Sequence, residues 1–83
     1  MSSDHTYIRR LNSLMEYIRR YTGNSYSLTM TNGRLWEGHL YLNGKLEQIF
    51  TASTQVDLMI RTLRHLLKVY NRIEDNLVKE ACG

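Results

Sequence analysis

Two Asn-Gly pairs, Asn32-Gly33 and Asn43-Gly44, constrain this chain more than any other feature. A two-residue hairpin loop of type I′ needs positive φ at both central residues, and Asn-Gly adopts that backbone at little cost. The runs around the pairs, SYSLTMT, RLWEGHLYL and KLEQIFT, are rich in Leu, Tyr, Trp, Phe and Thr, which suit a pleated surface. An antiparallel meander is therefore expected, with strands at 25–31, 34–42 and 45–51.

Two-residue loops would also fix the register, and with it the faces. One face would carry Tyr26, Leu28, Met30, Leu35, Glu37, His39, Tyr41, Leu46, Gln48 and Phe50, and is the better core face. The other would carry Ser25, Ser27, Thr29, Trp36, Gly38, Leu40, Leu42, Glu47 and Ile49. The apolar cluster Trp36, Leu40, Leu42 and Ile49 on that second face needs a reason. Either Gly38 marks a bulge that turns part of the middle strand over, or both faces are covered, one by the chain's own helices and one by a partner. The second reading makes these four residues an interface.

Helices are expected on either side of the meander. Asp4 is placed to cap a first helix over 4–22, which Gly23-Asn24 would stop. Ile8, Leu11, Met15 and Ile18 form its apolar stripe, flanked by Leu14 and Tyr21. After the strands, Ser53 or Thr54 can cap a second helix over 54–81, with Asp57 in the first turn where the helix dipole favours an anion. Met59, Leu63, Leu66, Tyr70, Ile73 and Leu77 recur at 4-3-4-3-4 spacing, and Ile60, Leu67 and Val78 widen the stripe. Such a helix is about 42 Å long, whereas a seven-residue strand spans about 24 Å. Its last turns should overhang the sheet; unless the first helix covers that projection, Ile73, Leu77 and Val78 are left exposed, and Tyr70, Ile73 and Leu77 are the residues expected at an interface with a second copy or another protein. The fold class is thus α+β, αβββα, a three-stranded meander with two helices on one face.

Composition narrows the classes of function. Eighty-three residues make one domain with a modest core. An apolar fraction of 42% excludes disorder, and a net charge of +3 falls short of a polybasic nucleic-acid tail. No apolar run approaches the roughly 20 residues of a membrane span, and the N-terminus lacks a signal peptide's apolar middle. The one cysteine, Cys82, cannot close an internal disulfide, which fits a reducing cytoplasm; at a frayed C-terminal tip it would be a free thiol.

No catalytic or cofactor motif stands out. His5, His39 and His65 lie far apart, without metal-ligand spacing. Glu37 and His39 would share one side of a strand, where a hydrogen-bonded pair forms easily; it reads as a satisfied polar pair before a proton-transfer pair. There is no phosphate-binding glycine loop and no nucleophile motif. No cofactor, no metal and no enzymatic activity are expected.

The order helix, three strands, helix resembles that of the double-stranded RNA-binding domain over most of the chain. In that family lysines open the second helix and grip phosphates; here the stretch reads Ser53-Thr54-Gln55-Val56-Asp57. The first strand loop, which in that family reaches into a minor groove, is a bare Asn32-Gly33. The resemblance is one of topology. Small mRNA-cutting toxins of the HicA type share it and need a strand histidine, for which His39 is the one candidate. The function expected first is a non-enzymatic protein-binding module, a regulator or inhibitor of phage or mobile-element type. Nucleic-acid binding through Arg9, Arg10, Arg19, Arg20, Arg61, Arg64 and Lys68 is the alternative.

Overall fold

The computed structural model describes residues 2–82, with side chains from His5 to Ala81. Five elements follow in the order α1 (Ser2–Thr22), β1 (Tyr26–Asn32), β2 (Trp36–Leu42), β3 (Lys45–Ala52) and α2 (Gln55–Cys82). The strands form one antiparallel sheet, β1-β2-β3. Strand direction alternates through the meander, so α1 and α2 enter on the same side and run parallel. Both lie on one face of the sheet and share a core of Leu11, Ile18, Leu40, Met59 and Leu66.

The ends of the helices follow local chemistry. Gly23 takes φ +77 and its N–H donates to the Arg19 carbonyl at 2.9 Å, a left-handed stop for α1. The Thr54 hydroxyl accepts from the Asp57 N–H at 3.1 Å, so Thr54 is the N-cap of α2. Helix α1 already begins at Ser2, which puts Asp4 inside the first turn rather than at the cap; the Asp4 and Cys82 side chains lie outside those described. Residues 79–82 remain helical.

The two Asn-Gly pairs behave differently. Asn43 and Gly44 adopt φ +54 and +85, a two-residue loop with positive φ at both positions. The Asn43 side chain also accepts from the Ser25 N–H at 2.8 Å, tying this loop to the entry of β1. Gly44→Ala should therefore cost about 1–2 kcal/mol, since an L side chain is strained in the left-handed region; a urea melt measures it.

Asn32-Gly33 is not such a loop. Neither residue has positive φ, Asn32 pairs with Trp36, and the loop is Gly33-Arg34-Leu35, closed by the Gly33 N–H on the Leu35 carbonyl at 3.1 Å. This one-residue difference turns β2 over. Trp36, Gly38, Leu40 and Leu42 share the helix side with Tyr26, Leu28 and Met30, while Glu37, His39 and Tyr41 face away. The expected face assignment of β2 is thereby corrected. The reason is burial: each large apolar side chain moved into the core contributes about 1.5–3 kcal/mol, and several outweigh one turn's local preference. Gly38 is no bulge, for it pairs regularly with Met30 and Phe50. The irregularity sits in β3, where the register shifts between Leu40 and Tyr41 and Glu47 is the extra residue.

The overhang of α2 is real but not bare. The molecule measures 49 × 29 × 16 Å, its long axis exceeding a strand twofold. Helix α1 lies beside α2 here. Tyr17 packs on Tyr70 with ring centroids 4.9 Å apart, and Ile73 is half-buried against the core. Leu77 and Val78 stay exposed, at 40% and 58%.

Candidate docking groove between the helices

On the side away from the sheet, the parallel helices leave a groove of about 420 Å³. Its apolar floor is Leu14 and Tyr17 from α1 with Leu63, Leu67 and Tyr70 from α2; Arg9, Arg10 and Ser13 form the α1 margin. Helical periodicity explains the composition. Leu63, Leu67 and Tyr70 at 4-3 spacing fall on one flank of α2, next to the core stripe of Met59, Leu66 and Ile73. The sheet and α1 cover that core stripe, and nothing among the described residues covers the outer edge of the flank. Leu67, at 41% exposure, is the most open point of the floor.

One end of the groove is fixed by a polar clasp. The Tyr17 hydroxyl donates a hydrogen bond to the Glu74 carboxylate, and the Tyr17 ring also meets Tyr21 at 4.5 Å. The bond to Glu74, with lost solvation and the negative charge adding to it, pushes the Tyr17 phenol up to about 12 from 10.0. A folded-state pKa raised above the unfolded value means that the clasp's contribution is whole below about pH 10 and is lost as pH rises through about 12. In a phenolate absorbance titration, Tyr17 should ionise late, and Glu74→Gln should return that step toward its ordinary value.

The α1 margin is cationic, through Arg9 and Arg10. Arg9, Arg10, Arg61, Arg64 and Lys68 are all exposed, and among the described residues none joins an ion pair. Arg19 and Arg20, by contrast, share Glu16 at 3.4 and 4.0 Å. The basic residues expected from the sequence thus divide into a pair that shares one carboxylate and a group spread over both helices that is in no ion pair among the described residues.

The residues expected at a protein interface do not form one surface. Leu40 is fully buried in the core and offers nothing to a partner. Trp36 and Leu42 are half-buried on the helix side. Ile49, 47% exposed, sits on the opposite face beside His39. Tyr70 and Ile73 are half-buried, and Leu77 remains open.

The open sheet face carries the Glu37–His39 pair, at 3.0 Å and facing solvent. A second carboxylate–imidazole approach lies on the helix side, where the bulge turns Glu47 toward His65, at 3.6 Å. Burial first, then the charge of Glu47, raises the Tyr26 phenol beside it. No group of three or more His, Cys, Asp or Glu assembles among the described residues, and no described helix is long and apolar enough to cross a membrane. Comparison with protein-family models, with curated proteins and with solved structures produced no match for this chain.

Proposed function

We propose that this chain is a non-enzymatic protein-binding module, a small regulator or inhibitor of the kind carried by phages and mobile elements, acting by occluding a partner. The observation that carries this reading is the helix groove. A chain of 83 residues has little apolar surface to spare, yet it leaves Leu67 exposed above a half-buried apolar floor that still opens to solvent, as interaction surfaces do. Leu67→Glu should leave helicity and the thermal midpoint nearly unchanged, because the side chain already meets solvent, and should abolish retention of the partner in a pull-down from host extract. Equal retention by wild type and variant removes the groove from the proposal. A homodimer through Leu77 and Val78 is the form of the same reading in which the partner is a second copy, and light scattering of Leu77→Glu tests it.

Nucleic-acid binding keeps one observation in its favour: Arg9, Arg10, Arg61, Arg64 and Lys68 lie exposed on two parallel helices and are in no ion pair among the described residues. If that reading holds, duplex RNA is retarded at low salt and released steeply as salt rises. No retardation at low salt eliminates it. A working place in the cytoplasm fits the single cysteine.

A further inference from the structure

Building on the protein-binding reading, we infer that the groove receives an amphipathic α-helix whose flanks are acidic. Three observations converge. The floor, with Leu14, Leu63 and Leu67, is apolar and lies between two parallel rods, and such a cleft accepts a third helix by its i, i+3/i+4, i+7 side chains. The α1 margin is positive, for Arg9 and Arg10 line the groove there, and Arg64 lies one turn before Leu67 on α2. None of these three arginines is in an ion pair among the described residues, so each keeps its charge for an incoming carboxylate.

The other occupants fit less well. A second copy would bring the same arginines toward its own margins, and the acid nearest the groove, Glu74, is already held by Tyr17. A nucleic-acid backbone would satisfy the arginines but leave Leu14, Leu63 and Leu67 facing phosphate and water. A helix carrying Leu or Phe along one stripe, with Asp or Glu on either side, matches floor and margins together. The complementary charges steer encounter and set orientation, while the stripe supplies most of the affinity.

The test is a display library of 16-residue amphipathic helices with a fixed apolar stripe and randomised flanks, selected on the full chain and counter-selected on Leu67→Glu. Enrichment of Asp and Glu at the flanks is expected. Selected peptides should lose tenfold or more in affinity with Arg9→Glu/Arg10→Glu, and should weaken as salt rises. Enrichment of neutral or basic flanks, or binding indifferent to the arginine changes, overturns the inference. Outright preference for duplex RNA or for anionic phosphatidylserine vesicles over every peptide overturns it too. The broader reading is scored separately. If Leu67→Glu abolishes partner capture while acidic flanks are not enriched, the groove still docks a protein and only the acidic helix fails. If Leu67→Glu changes neither readout, both fall.

Discussion

Leu40→Ala is expected to destabilise the fold by about 2–5 kcal/mol, the range for removing a buried leucine and leaving a cavity. Leu40 has no exposed surface and lies at the middle of β2, enclosed by Leu28, Ile18, Met59 and the other core residues. Small domains hold only about 5–15 kcal/mol in total, so one substitution removes a large share. At about 4–8 °C per kcal/mol for a domain of this size, the thermal midpoint should fall by about 10 °C or more. The urea midpoint should drop with little change in slope. Ile49→Ala is the matched control. Ile49 projects from the open face and is half exposed, so its removal should cost within about 0.5 kcal/mol. If Leu40→Ala melts like wild type while Ile49→Ala unfolds the chain, the faces of β2 and β3 are the reverse of those described.

That contrast marks where the sequence is legible and where it stops. Element order, the caps at Thr54 and Gly23, and the Asn43-Gly44 loop are written locally, each in one or two residues whose backbone preferences survive folding. The Asn32-Gly33 pair has the same local signature but is overruled from a distance. Leu28 and Met30 must face the helices, and β2 can join them with Trp36, Leu40 and Leu42 only if the loop takes three residues. Leu35, left half exposed by that choice, was the trace to follow: a loop that spends one leucine gains a whole apolar strand face. The β3 bulge at Glu47 carries no such trace. The groove was half legible. Leu67 stood out as a residue widening the α2 stripe, but that it shares a groove with Leu14 and Tyr17 is defined only once α1 lies parallel to α2.

The second large effect is expected at Gly38. A side chain there points at α2, and a Cβ added to the backbone would come within 3.2 and 3.3 Å of the two terminal carbons of Leu58 and 3.4 Å of Leu28. Leu58 is fully buried at the start of α2, so the glycine sets how closely the helix approaches the middle strand. Gly38→Ala adds one carbon that Leu58 must accommodate by a few tenths of an ångström, and the smaller backbone entropy that alanine loses on folding offsets part of that cost. Gly38→Val leaves no such balance: two further methyl groups enter filled space, and overpacking of this kind costs about 1–3 kcal/mol. If the clash with Leu58 is the cause, shortening Leu58 should relieve it. Gly38→Val/Leu58→Ala should then be more stable than the sum of the single changes by about 0.5–3 kcal/mol, a coupling expected only between residues in contact. A Gly38→Val protein as stable as wild type would mean that β2 presents its other face to α2, and the groove above, which depends on α2 sitting this close, would have to be redrawn.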